Sequence, residues 1–346
     1  MTAVATPVVG QDAVRPRVDT FAKTESRRIM SIDQYRGYAV LGMILVNYLG
    51  DFDSMPWQFK HHHYGMSYAD TIAPLFMFVV GMGFRLSRLR RINDGGLGRS
   101  YGAVLRRYLA LILVGIVLYG PALDNWRYWW DALVDIGFAG ILALPFMTRG
   151  TVVRSTAAVL YLALFQLVYM TTGYGQWTMD KSIDGGPLGP LSWAAILLFG
   201  TIAYDLIASG ERRRIVGHTV GWGLALCVAG WALKVEWPGV KEAWPFSQRG
   251  MTAPYPLFSA GLCFFMYLPF YYVCDVKRWR IPHLSELGMN ALVVYAVQQA
   301  LGDMHGSFLV PEDSGPLVAV LGFATFYLAC YAVAWRLHKD HVIIKL

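Results

Sequence analysis

The chain has 346 residues, 55% of them hydrophobic and only 15% charged. Soluble domains carry about 25% charge, so this composition excludes a water-soluble globule and calls for a protein covered largely by lipid. The net charge of +7 is distributed over loops between apolar runs and reads as a topological signal, not as a nucleic-acid-binding surface.

Residues 1–30 mix Pro, Thr, Asp and Arg and contain no apolar stretch of the kind a signal peptide needs. They are expected to form a flexible cytoplasmic arm, with residues 31–346 making a single membrane domain. Ten apolar runs follow, at 34–50, 70–89, 104–122, 131–148, 152–172, 190–208, 214–234, 256–275, 284–303 and 316–337. Each approaches the roughly 20 residues that a helix needs to cross the hydrocarbon core. Pro74 and Gly81 fall inside the second run, which a membrane helix tolerates when neighbours satisfy the freed backbone groups. The expected fold is therefore an all-α integral membrane bundle of about ten transmembrane helices.

Ten crossings place both termini on one side. Of the 30 Lys and Arg residues, only Lys60, Arg127, Lys181, Lys234, Lys241 and Arg249 then fall on the opposite side. Basic loops stay in the cytoplasm, so both termini are expected there. Cys227, Cys263, Cys274 and Cys330 lie within or at the ends of apolar runs without CxxC spacing, and read as packing residues. No GxxxxGK[ST], GxSxG or HExxH motif occurs, which leaves phosphate-loop, serine-hydrolase and zincin chemistry without support.

The chemistry-bearing stretch is residues 31–91. It contains Asp33, Arg36 and Gly37, the run Val46 to Tyr48 with Asn47 at its centre, Phe59-Lys60-His61, then Gly65-x-Ser67-x-Ala69-Asp70, and Pro74 before an aromatic-rich helix reaching Gly81. A second fragment, Gly288-Met289-Asn290-Ala291-Leu292 with Val294-Tyr295, precedes the last run and a basic tail. In order and membrane depth these fragments resemble the transmembrane acyltransferases typified by heparan-alpha-glucosaminide N-acetyltransferase and its bacterial relatives. The resemblance covers about a quarter of the chain. It departs in the loop after Asn47, which is longer than the family pattern, in a missing Trp, and in a His61-to-Asp70 spacing one residue short, so that His62 and His63 stay beside His61 as candidates.

The resemblance implies an enzyme that moves an acyl group, most simply acetyl, from cytoplasmic acetyl-CoA or another acyl-CoA to an amino or hydroxyl group of an extracytoplasmic, sugar-containing acceptor. A bacterial inner-membrane location and a homodimer are compatible with it, and no metal is expected. It assigns His61 as general base, Asp70 as the group orienting the ring, and Asn47 as a substrate or oxyanion contact. Imidazole suits the first role because it titrates near working pH.

Plainer readings stand beside these. The three histidines can be a solvated turn, Ser67-x-x-Asp70 fits a helix-capping box, and Asn47 can be an interhelical packing residue. Asp33 and Arg36, three apart, can anchor a helix end as an ion pair, or Arg36 can receive CoA phosphates together with Arg85, Arg88, Arg90 or Arg91. Asn290 is a further candidate for the donor site. Asp135 and Asp205, near or within apolar runs, are functional candidates because a carboxylate at that depth is costly. The competing functional class is a transporter or flippase of a glycan or lipid intermediate that moves its substrate without acyl transfer.

Overall fold

The computed structural model describes residues 29–95, 97–120, 123–234, 244–308 and 310–342. The 1–30 arm lies, except for its last two residues, outside the described residues. All regular structure among them is helical: α1 (Met30–Leu49), α2 (Ala69–Gly95), α3 (Leu97–Leu118), α4 (Ala132–Ala143), α5 (Thr151–Thr171), α6 (Tyr174–Lys181), α7 (Gly189–Ala208), α8 (Arg212–Leu233), α9 (Pro254–Phe270), α10 (Pro282–Met289), α11 (Ala291–Phe308) and α12 (Pro316–Lys339).

Seven helices among the described residues are long and apolar enough to cross a membrane: α2, α3, α5, α7, α8, α9 with its π-helical extension through Val276, and α12. In α1, Asp33, Gln34, Arg36 and Asn47 interrupt the apolar pattern, and α4 and α11 are shorter apolar helices. The run expected at 284–303 is two helices: the chain breaks at Asn290, whose φ of −118° and ψ of 37° leave the helical region.

The bundle is built around α7. Within its span 78% of residues are buried, against 28% in α3, α8 and α12, so these three form the periphery. Their outward faces carry Leu113, Val117, Leu224, Val228, Leu317 and Leu321, all exposed. A row of exposed apolar side chains fits lipid and would be unfavourable in water.

Close helix crossings rest on glycine. A Cβ at Gly81 of α2 would collide with the Leu197 carbonyl of α7, and one at Gly200 of α7 with the Phe78 carbonyl of α2. Small residues permit this approach where neither lipid nor water drives association. The same device joins α1 to α10, where a Cβ at Gly37 would strike the Leu284 carbonyl and one at Gly288 the Asp33 carbonyl. The two sequence fragments that carry the family resemblance thus pack against each other.

Candidate active site

The site is built on the loop between α1 and α2 and on the first turn of α2. Ser67 and Asp70 form a capping box: the Ser67 amide donates to Asp70 Oδ2 at 2.8 Å, and the Asp70 amide donates to Ser67 Oγ at 3.4 Å. The other oxygen of the same carboxylate, Oδ1, meets His61 Nδ1 at 2.9 Å. Capping and holding a histidine are therefore simultaneous. Each uses one oxygen of a side chain that is fully buried.

Pro74 has no amide hydrogen, so the Asp70 carbonyl lacks its ordinary helical donor. The Tyr255 hydroxyl, from α9, supplies one at 2.7 Å. The histidine loop is anchored as well: Ser67 Oγ donates to the Lys60 carbonyl at 2.8 Å, and the Gly65 amide donates to the Phe246 carbonyl at 2.7 Å.

The three adjacent histidines have different partners. His62 stacks on Trp57 with ring centroids 5.1 Å apart, and its Nε2 lies 3.1 Å from the Trp57 carbonyl. His63 Nε2 lies 3.3 Å from Arg249 Nη1. His61 faces a carboxylate. Because a carboxylate only accepts, Nδ1 carries the hydrogen of that bond and Nε2 is left with the lone pair of the neutral ring.

His61, Asp70 and Asn47 line one cavity of about 620 Å³. Its floor is apolar, with Met43, Val46, Ile72, Phe76 and Met77 from α1 and α2. Its polar lining includes Asp51, Asp131, Asp135, Asp184, Gln248 and Tyr295, drawn from segments far apart in the chain. The volume suits a small organic molecule. The His61 side chain is 48% exposed while its partner is fully buried, so the ring is open to incoming molecules and the carboxylate is not.

The electrostatics follow from this crowding of carboxylates. Burial works to lower the His61 pKa, but the hydrogen bond and charge of Asp70, with smaller contributions from Asp184 and Gln248, raise it above the ordinary value of 6.5. Burial and the neighbouring Asp131 push the Asp184 carboxyl up to about 7, against the opposing pull of His61 and Gln248. Burial, then Glu312, raises Asp51.

The residues expected at the donor site lie elsewhere. Asp33 and Arg36 sit at the start of α1, their charged atoms 3.8 Å apart, and Asn47 is eleven residues further along the same helix, about 17 Å at 1.5 Å per residue. Arg85, also expected there, is engaged within the bundle. It is 5% exposed, its Nε and Nη2 donate to Asp205 at 2.9 and 3.1 Å, and its Nη1 donates to the Met147 carbonyl. Arg154 binds the same Asp205 and also donates to Thr201 Oγ1, so the carboxylate ties α2, α5 and α7 together. Asn290 is 1% exposed and donates to the Val342 carbonyl at the break between α10 and α11.

Sequence reasoning passed over Asp131, Asp184 and Gln248. Asp131 caps α4, its side chain accepting from the Ala132 amide. Asp184 stands in the left-handed region at φ 48°, followed by Gly185 and Gly186 at positive φ. Asp tolerates that conformation better than most residues, so an Asp-Gly-Gly turn was a local signal for it.

The fold and site define a helical membrane protein with a carboxylate-held histidine opening on a cavity lined by both apolar side chains and carboxylates. The family model described as "Heparan-alpha-glucosaminide N-acetyltransferase, catalytic" matches residues 28–235, and the chain belongs to that family. Its relatives include the human heparan-alpha-glucosaminide N-acetyltransferase, 34% identical over 27% of this chain and 14% of that protein. The mouse protein of the same name is 26% identical over 51% of this chain and 27% of its own length. An uncharacterized 39.9 kDa protein of Bacillus acidopullulyticus is 34% identical over 34% of each chain. The matched stretch therefore spans less than a third of either mammalian protein.

Proposed function

We propose that the protein is an acyl-CoA-dependent membrane acyltransferase. It takes an acyl group, most simply acetyl, from a cytoplasmic donor and delivers it to an amino or hydroxyl group of a sugar-containing acceptor on the other face. The observation that carries this reading is the 2.9 Å pairing of His61 Nδ1 with buried Asp70, at a cavity that also holds Asn47, in a chain of this family. Ten crossings with both termini in the cytoplasm of a bacterial inner membrane complete the proposal. They leave the basic loops to the anionic donor and the histidine loop to the acceptor.

In this mechanism His61 Nε2 removes the proton of the acceptor nucleophile as its lone pair attacks the thioester carbonyl carbon. Asp70 stabilises the imidazolium that results, and the Asn47 amide donates to the oxyanion of the tetrahedral intermediate. Collapse breaks the carbon–sulfur bond, and His61 returns the proton to the departing CoA thiolate. Arg36, backed by Asp33, is the donor-phosphate ligand in this scheme.

The test is mass spectrometry of amino sugars, hydroxy sugars and glycolipids after incubation with labelled acetyl-CoA and the full chain in lipid nanodiscs. Label on an acceptor, lost in His61→Ala, is the expected result. Unlabelled acceptors, together with substrate movement across proteoliposomes, favour a transporter. Parallel-line kinetics, or an acylated His61, assign an acyl-enzyme in place of direct transfer.

A further inference from the structure

The outer side of α8 carries a feature that the His61 chemistry does not use. Ile215, Thr219, Gly223, Leu226 and Gly230 are buried, and α8 packs chiefly on α9. Beside that packed side runs an open groove of about 870 Å³, which shares no lining residue with the His61 cavity. Gly217, Gly221 and Ala225, one turn apart, form its floor. The Trp222 ring forms a wall, set against Phe199 and Phe264 with centroids 6.0 and 6.3 Å away. A Cβ at Gly217 or Gly221 would meet nothing within 4 Å.

Arg213 and Arg214 also line the groove, four and three residues before Gly217, and so share its face one turn nearer the helix start. Both are exposed, and among the described residues neither guanidinium has a hydrogen bond or ion pair. Against their two charges the lining sets one acid, Glu211. No side chain caps α8, and the consecutive arginines from Arg212 to Arg214 place positive charge at the positive end of the helix dipole. This end of the groove therefore calls for an anion. The floor beyond it runs along a helix long and apolar enough to cross a membrane, and calls for hydrocarbon.

We propose that the groove binds one anionic phospholipid, its headgroup phosphate against Arg213 and Arg214 and an acyl chain over Gly217, Gly221 and Ala225. A soluble anion would leave the floor uncovered. A zwitterionic lipid brings its own cation beside the phosphate, in competition with the arginines. Small residues four apart also suit helix pairing, so a second copy of the chain is the other occupant to weigh. A twofold axis along the membrane normal brings equal ends of α8 together, and the unpaired arginines of both copies would then meet.

The test counts bound lipids by native mass spectrometry of the full chain, titrated in detergent with dioleoylphosphatidylglycerol or dioleoylphosphatidylcholine. The two probes share tails and phosphate and differ in net charge. The first should bind about ten-fold tighter, with a preference that shrinks as salt is raised. Replacing both exposed arginines, Arg213→Gln with Arg214→Gln, abolishes the preference at an unchanged melting temperature. Gly221→Leu, which projects into open space, fills the floor and weakens the first-bound phosphatidylglycerol about five-fold. Equal affinity for the two lipids in the wild type, or a preference that survives both variants, overturns the site. So does full displacement of the lipid by inorganic phosphate, which would make the floor irrelevant. A wild-type dimer that Gly221→Leu dissociates assigns the groove to a second copy and overturns it as well.

Discussion

Tyr255 donates its hydroxyl hydrogen at 2.7 Å to the backbone carbonyl of Asp70, the carbonyl that Pro74 leaves without a helical donor. The backbone of the histidine's partner is thereby held from α9, a helix packed against both α1 and α2. Tyr255→Phe should orphan this buried carbonyl at a cost of about 1–3 kcal/mol, read as a lower melting temperature in detergent. Pro74→Ala restores an amide hydrogen at the position that bonds Asp70, so the double variant should recover part of the loss. Independent, additive losses would mean that the hydroxyl does not replace the missing helical bond.

The Asp205 carboxylate binds two buried guanidiniums, Arg85 and Arg154. Asp205→Ala leaves both without their counter-charge and should destabilise the bundle by about 3–5 kcal/mol. Adding Arg85→Met should return part of that stability, because the uncompensated charge leaves with it. Denaturant titration in mixed micelles checks both. A harmless single substitution would show that the arginines reach water or lipid headgroups instead.

Much of the bundle was legible because lipid imposes it: apolar runs near twenty residues with basic loops on one side have few alternatives to helices. The break at Asn290 was not, since residues 284–303 are continuous in hydropathy and the interruption arises in packing, where Gly288 and Gly37 let α10 and α1 touch. Asp33, Arg36 and Gly37 were visible as a motif, but their nearness to Gly288 required the fold. Asp70 appeared to demand a choice between cap and catalytic partner, and the carboxylate serves both because it has two oxygens. His61, His62 and His63 are chemically alike, and only the fold gives them different partners, Asp70, Trp57 and Arg249. Asp131 and Asp184 enter the cavity from α4 and the loop before α7, a convergence that no local pattern records.

Arg36 separates donor binding from helix anchoring. Its guanidinium is 27% exposed and approaches the α2 backbone at Gly83, where a Cβ would lie 3.0 Å from Nη2. Arg36→Ala should weaken acyl-CoA affinity about ten-fold with little change in melting temperature, as expected when one charge-assisted contact is lost. Equilibrium binding of a fluorescent acyl-CoA reports this. Unchanged affinity in a less stable protein would assign Arg36 to the ion pair alone.

The raised pKa of His61 fixes a direction for pH. A base must be neutral to act, so kcat/KM should climb with pH through a midpoint above 6.5, and Asp70→Asn should move that limb to lower pH by removing the charge that favours the imidazolium. The stability linkage has the opposite trend. A group whose folded pKa is raised contributes fully below its unfolded value near 6.5, and that contribution is lost as pH rises through the folded pKa. His61→Ala should therefore flatten the melting-temperature profile across this window. A wild-type rate limb below 6.5, unmoved by Asp70→Asn, would remove His61 from the rate-determining proton transfer.

Substitution of the histidines and of Asp70 tests the site most directly, because the geometry assigns each a separate fate. His61→Ala removes the ring that faces both Asp70 and the cavity, and should lower turnover roughly 100-fold or more, the scale of general acid–base catalysis, with acyl-CoA affinity nearly unchanged. His62→Ala loses a stack on Trp57, and His63→Ala a contact with Arg249, so each should cost turnover less than ten-fold. Asp70→Asn keeps one carbonyl oxygen, enough to accept from the Ser67 amide or from His61 but not from both with its former charge. The cap is the shorter-range claim on that oxygen, so the variant should melt near the wild type while turnover falls about as far as in His61→Ala. Ser67→Ala is the complementary control. It weakens the cap and the tie to the Lys60 carbonyl while leaving the His61–Asp70 pair chemically intact, and should lower stability by about 1 kcal/mol with a smaller effect on rate. If Asp70→Asn instead loses stability in proportion to activity, Asp70 acts only as a cap. If His61→Ala retains turnover, the base is another group, with His305, whose side chain lies outside the described residues, the next to substitute.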